Sequence, residues 1–175
     1  MASCDDLEQT RANLIEELNV AVDNGDEFQI EQLLGQINQN CSDLTNVGCL
    51  TFSLPAGTWM FNGNGFQGTI TLGSFSGNRN FLPELPEGET DCILIFTGTA
   101  MIDAPRVDNL IGGFYGEKTH RTKFTRIGIP GGITQDYTGF LFANPTGNAP
   151  PTMAGTFTST EDNLTRGWFA IFQSP

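Results

Sequence analysis

GTWMFNGNGFQGTITL, running from Gly57 to Leu72, is the stretch that decides the fold. Two short runs of alternating residues flank Asn62-Gly63-Asn64-Gly65, and Asn-Gly pairs are the residues that turn a strand back on itself. The same stretch holds Gly63-Asn64-Gly65-Phe66-Gln67-Gly68, which matches the dinucleotide pattern G-x-G-x-x-G letter for letter. That pattern works only where a helix N-terminus follows to receive the pyrophosphate, and Thr69-Ile70-Thr71-Leu72 reads as strand. These glycines therefore belong to a hairpin turn.

Downstream the pattern repeats. Alternating runs at Gly57–Phe61, Phe66–Phe75, Cys92–Ala100, Asn109–Tyr115, Arg121–Ile127, Thr134–Ala143, Thr152–Thr158 and Gly167–Gln173 give eight candidate strands separated by Gly, Pro and Asn. Ile102–Val107 and Gly128–Gly132 read as further hairpin connections. Eight strands in a meander close a small up-and-down β-barrel, either filled by side chains or holding one small ligand; an antiparallel β-sandwich is the alternative.

Upstream the chain changes character at Ser42–Leu54. Ser3 is a good N-cap with Asp6 at the capping-box position, and Leu7, Leu14, Ile15, Leu18 and Val22 follow at helical spacing. Asp23-Asn24-Gly25 stops this helix. Asp26, with Gln29 at the box position, starts a second helix whose apolar stripe is Ile30, Leu33, Leu34, Ile37 and Cys41. So short a connection makes the two helices antiparallel neighbours. The expected division is an acidic helical hairpin over 1–48 and an antiparallel β-barrel domain over 49–175.

Charge divides along the same line. The first 48 residues hold ten acids against Arg11 alone, which accounts for −9 of the net −12. Phosphate contacts need clustered Lys and Arg, so nucleic acid is not an expected partner, and an anionic membrane surface would repel the hairpin. No stretch approaches the roughly 18 apolar residues of a membrane span. Met-Ala-Ser-Cys-Asp-Asp lacks the basic start and apolar run of a secretory signal. The expected location is therefore the compartment of synthesis, such as the cytoplasm, or export by a signal-free route, unless processing has already removed a leader.

Within the candidate strands Gly57-Thr58-Trp59 opens the first, and Gly-Thr or Gly-aromatic pairs recur at Gly68-Thr69, Gly98-Thr99, Gly139-Phe140, Gly155-Thr156 and Gly167-Trp168. From Gly57 to Gln173 the chain resembles the calycin superfamily, the lipocalin and avidin type of meander barrel, whose first strand carries a Gly-x-Trp motif. The resemblance implies that Trp59 is a structural residue closing the barrel floor. It supplies no residues for a biotin site and is silent about the helical hairpin.

Lys118, His120, Arg121, Lys123 and Arg126 form the one basic cluster in the sequence. Alternation places His120, Thr122, Phe124 and Arg126 on one face and Arg121 and Lys123 on the other. An inward Phe124 brings Arg126 inward too, where a guanidinium must be paired; Glu117 and the Gln135/Tyr137 face are candidate partners. His120, Arg126, Gln135, Tyr137 and Trp168 are thus candidate ligand contacts of the barrel interior. A structural salt bridge with an exposed basic edge is the competing reading.

Four cysteines, Cys4, Cys41, Cys49 and Cys92, lack a Cys-x-x-Cys spacing, and one histidine cannot complete a zinc site, so no metal or other cofactor is expected. Free thiols are one reading. A Cys4–Cys41 staple at the open end of the hairpin is another, although Cys4 lies about four residues further from the turn, a mismatch of roughly 6 Å at 1.5 Å per residue. Cys49 competes for either partner. Glu84–Asp91 is an acidic loop without the order of an EF-hand. Asn40-Cys41-Ser42 and Asn163-Leu164-Thr165 are sequons that matter only on a eukaryotic secretory route.

No Gly-x-Ser-x-Gly elbow is present and nothing positions a base on a nucleophile. The primary expectation is a non-enzymatic interaction protein, its hairpin docking on a protein partner or a second copy of the chain through Ile30, Leu33, Leu34 and Ile37, met by Lys118, Arg121 and Lys123. The alternative is a binding protein for a small apolar ligand. A cyclase- or isomerase-type enzyme using the barrel interior is a third class. Whether aromatic side chains fill the interior separates the first two.

Overall fold

The structure, a computed structural model, describes residues 2–49, 54–76, 92–103, 105–117, 119–142 and 148–175. They form two units. One holds the described residues up to 49 with Cys92 and Ile93; the other holds those of 54–76 and 94–175.

In the first unit α1 (Cys4–Asn24) and α2 (Glu27–Asn46) make the helical hairpin. Ser3 caps α1: its hydroxyl accepts from the Asp6 amide at 3.2 Å, while the Asp6 carboxylate accepts from the Ser3 amide at 3.1 Å. The Ser3 hydroxyl also donates to the Asp6 carboxylate at 2.7 Å, and this bond, with the one from the Ser3 amide, holds the Asp6 carboxyl below its usual range. Gly25, at φ 67°, takes the left-handed conformation that ends the helix, and the Asp26 side chain caps α2 by accepting from the Gln29 amide at 3.0 Å.

Leu18, Ala21, Leu33 and Ile37 form the buried seam, flanked by half-buried Leu14, Ile15, Ile30 and Leu34. Ala21 takes the place expected of Val22, which is 57% exposed. The stripe expected to meet a partner is thus packed helix against helix. A second cluster gathers Leu7, Cys41, Leu44, Cys49 and Cys92, and Asn40 donates to the Leu7 carbonyl at 2.9 Å. No described helix is long and apolar enough to cross a membrane.

All four cysteines are bridged, Cys4 to Cys49 and Cys41 to Cys92, each pair with Cα atoms 5.6 Å apart. The free-thiol reading and the Cys4–Cys41 staple are both overturned. The turn after α2, with Gly48 at φ 78° and the Cys49 amide donating back to the Leu44 carbonyl, brings Cys49 to Cys4. Cys41 instead joins Cys92, which is 51 residues away in sequence.

The second unit is a closed antiparallel barrel in sequential order. Its strands are β1 (Gly57–Gly63), β2 (Phe66–Ser76), β3 (Ile93–Ile102), β4 (Asp108–Gly116), β5 (Arg121–Ile129), β6 (Ile133–Phe142), β7 (Thr152–Ser159) and β8 (Thr165–Ser174). Each lies within two residues of its expected span. Closure comes from β1, which pairs with β2 through Trp59↔Ile70 and with β8 through Trp59↔Phe172, so the sandwich alternative is excluded. Asn64 and Gly65, at φ 51° and 88°, make the β1–β2 hairpin that the dinucleotide-like glycines suggested. In β4 the register shifts between Ile111 and Phe114, with Gly112 at φ 59°. This bulge lets Asp108 and Leu110 face inward at one end of the strand and Tyr115 at the other.

Alternation sends an aromatic inward from most strands: Trp59 and Phe61, Phe96, Tyr115, Phe124, Tyr137, Phe157 and Trp168 are all buried. The remaining phenylalanines divide. Phe172 packs on this cluster and Phe114 is buried; Phe66, on the same face of β2 as buried Ile70 and Leu72, is exposed at the end of the barrel, while Phe140, Phe142 and Phe169 are exposed on the outside.

Candidate ligand site at the barrel mouth

The four tight connections β1–β2, β3–β4, β5–β6 and β7–β8 ring one end of the barrel, and Trp59 lies toward the other. Trp59 is fully buried, with its ring edge-on to Phe172 at 5.3 Å and Leu54, Ile70 and Leu72 in the same core. Its indole N–H meets no acceptor among the described residues. Apolar packing surrounds Trp59 at this end of the barrel.

Above it the lumen is filled. Phe124 and Tyr137 stack at 4.9 Å, Tyr137 and Phe157 at 5.0 Å, and Phe61 and Trp168 at 6.1 Å. The Trp168 indole donates to the Thr138 and Thr156 carbonyls at 3.2 and 3.1 Å. Trp168 is therefore a wall of the core and does not line the mouth.

Above this stack the described residues enclose a cavity of about 300 Å³. Phe61, Tyr137 and Phe157 form its base, Ile102, Ile129 and Pro130 its sides, and Arg106, Arg126, Gln135, Asp103 and Glu161 its polar lining. Arg126 follows Thr122 and Phe124 inward, as alternation requires, and its side chain is only 7% exposed. Its Nε and Nη2 donate to Asp108 Oδ2 at 2.8 and 2.5 Å, and its Nη1 donates to Gln135 Oε1 at 3.1 Å. Tyr137 donates its hydroxyl to the same Gln135 oxygen at 2.8 Å. Arg106 completes the cluster with a fork on Asp108 at 2.6 and 3.2 Å.

The electrostatics follow from these contacts. The hydrogen bond from Arg106 leads the causes that hold the Asp108 carboxyl below its ordinary range, opposed by burial and assisted by Arg126. Burial pushes the Tyr137 phenol up to about 12, so its hydroxyl stays protonated and keeps donating. A buried guanidinium is tolerable here because a carboxylate and an amide oxygen meet it directly.

Arg126, Gln135 and Tyr137 thus meet at one place, whereas the other candidate contacts do not. His120 departs from the alternation: at φ 55° it sits just before β5, exposed, with Nδ1 2.8 Å from the Tyr115 hydroxyl. Arg121 and Lys123 are half-buried on the outer face. Lys118 and the Glu84–Asp91 loop lie outside the described residues. Among the described residues no three His, Cys, Asp or Glu side chains gather as metal ligands. Asp108 was missed as the partner of Arg126. Its signal was nonetheless present, since alternation through β4 puts it on the face of Leu110.

Comparisons with known proteins leave the site to its geometry. No family model matches the chain, and neither the curated proteins nor the solved structures contain a significant match.

Proposed function

We propose that the barrel binds a small, largely apolar ligand at its mouth, in the general manner of the calycin-type barrels it resembles. One observation carries this reading: the lumen is packed from the floor upward and then stops, leaving about 300 Å³ over an aromatic base with a fixed polar set at its edge. That volume stands at the lower end of ordinary ligand pockets, so the ligand is small. Arg126, Gln135 and Tyr137 supply the polar edge. His120 and Trp168 support the fold around it. Ligand-observed NMR with small aromatic and aliphatic molecules tests the reading, with Ile129→Trp as the variant that fills the mouth. Binding that Ile129→Trp abolishes supports it; binding that the variant leaves unchanged would place the site elsewhere.

A second reading, assembly with another copy of the chain, draws on the barrel's outer wall. Met60, Met101, Phe140, Phe142 and Phe169 are each more than 40% exposed. Registers place Phe142, Thr152, Ile171, Met60, Thr69 and Met101 in one row across six strands. Arg121, paired with Phe140, gives this wall a basic edge that complements an acidic hairpin from a second copy. Light scattering at low and high salt tests it: assembly that weakens with salt supports a charge-steered contact, and a monomer under both conditions excludes it.

A further inference from the structure

Gln135 is the one mouth residue whose orientation chemistry dictates. Arginine can only donate hydrogen bonds, so the atom 3.1 Å from Arg126 Nη1 must be the amide oxygen. The Tyr137 hydroxyl, 2.8 Å away and held protonated by burial, donates to that oxygen as well. Both lone pairs of Oε1 are therefore engaged, and the planar amide turns its NH₂ group to the opposite side. Among the described residues no acceptor takes those two N–H donors, and Gln135 lines the cavity.

The charges around it select against ions. Two guanidinium groups, Arg106 and Arg126, share Asp108, and Asp103 and Glu161 add two more carboxylates to the lining. Two cations against three anions leave one negative charge in excess, so an anion gains nothing by entering. Asp103 already accepts from the Gln67 amide at 3.1 Å, and Glu161 is exposed at the rim, away from the aromatic base. An ammonium group would be drawn to the rim and would leave the base uncovered.

Building on the mouth as a binding site, we propose that Gln135 reads the ligand, and that the site takes small neutral molecules with an aromatic or apolar body and a carbonyl oxygen, such as aryl ketones, aldehydes and amides. The body rests on Phe61 and Phe157, and the carbonyl oxygen accepts from Gln135 Nε2. A hydrocarbon of the same shape fills the same space but leaves those donors unanswered, and the loss of one such bond corresponds to roughly five- to tenfold in affinity.

The test compares acetophenone, ethylbenzene, benzoate and 1-phenylethylamine on the full chain by ligand-observed NMR titration. Gln135→Glu, which keeps an oxygen for Arg126 and Tyr137 but removes the NH₂, is measured alongside Gln135→Leu. Acetophenone should bind roughly five- to tenfold more tightly than ethylbenzene and ahead of both ions, and both variants should bring that ratio to about one. A ratio near one in the unmodified protein overturns the proposal even if neither variant folds. So does a ratio that survives Gln135→Glu, or tightest binding of benzoate or the amine. If no member binds, or Ile129→Trp leaves every affinity unchanged, the mouth itself is not the site and the proposal falls with it.

Discussion

The two ends of the barrel are built from the same inward-facing positions on the same strands, yet they solve opposite problems. At the floor Trp59 and Phe172 pack edge to face and leave an indole N–H without an acceptor among the described residues. At the mouth Arg126, Asp108, Arg106, Gln135 and Tyr137 hold one another in bonds of 2.5–3.2 Å and leave volume open. The floor tolerates an unsatisfied donor in exchange for apolar contact. The mouth satisfies its charges and gives up packing. Apolar contact thus dominates one end, and a paired polar cluster beside open volume marks the other.

Removing one partner from the mouth cluster should have the largest effect. Asp108→Asn leaves Arg126 buried without a counter-charge, and thermal or denaturant melts should show a loss of about 3–5 kcal/mol. Because Asp108 titrates below its ordinary 3.8, the stability it provides is complete above that pH and disappears as pH falls through the depressed value. The variant should therefore also show a flatter acid limb. An unchanged midpoint would mean that water reaches Arg126 and that the mouth is not a low-dielectric site.

Trp59→Ala should cost a similar amount, about 3–5 kcal/mol, through lost contact and the cavity left behind. The sharper comparison is Trp59→Phe. It removes the orphan N–H together with some volume, and should cost under about 1.5 kcal/mol. Were Trp59→Phe as damaging as Trp59→Ala, the indole N–H would have an acceptor after all and the contrast between the two ends would weaken.

Replacing Cys41 and Cys92 together by Ala should lower stability by about 2–4 kcal/mol, since the bridge restrains a long loop of the unfolded chain. Melts followed by helical and aromatic circular dichroism separately would show which unit relies on it. The last effect appears only at alkaline pH and concerns Tyr137. Its folded-state value of about 12 lies above the ordinary 10.0, so the protein keeps full benefit below pH 10 and loses it between pH 10 and 12. Relative to Tyr137→Phe, the unmodified protein should lose about 2–3 kcal/mol more across that window in alkaline melts, at 1.36 kcal/mol per unit. Parallel curves would show that the phenol is solvated and that the mouth is wetter than its geometry implies.

The barrel was legible because a strand half-buried in a meander must alternate, and each run from Gly57 to Gln173 does so. Arg126 facing inward followed from the same rule, as did its contact with Gln135. His120 broke the rule because the backbone turns left-handed just before β5, which no periodicity signals. Ala21 and Val22 exchanged roles because a stripe leaves its edge positions open until the second helix is placed. The Cys41–Cys92 bridge joins positions 51 residues apart, and spacing alone could not pair them. Where the lumen is full and where it is open depends on all eight registers at once. That is why the cavity emerged only from the folded chain.

The two bridges interlock along the chain, Cys4 to Cys49 and Cys41 to Cys92, and their loops overlap between residues 41 and 49. One consequence concerns the integrity of the molecule more than its shape. A single protease cut anywhere between residues 4 and 92 leaves the two fragments joined by at least one disulfide, so a nicked molecule migrates as one species until it is reduced. A cut beyond residue 92 leaves the C-terminal piece with no covalent link, so it separates as soon as the barrel is denatured. The first half of the sequence is in effect insured against a break that the second half is not.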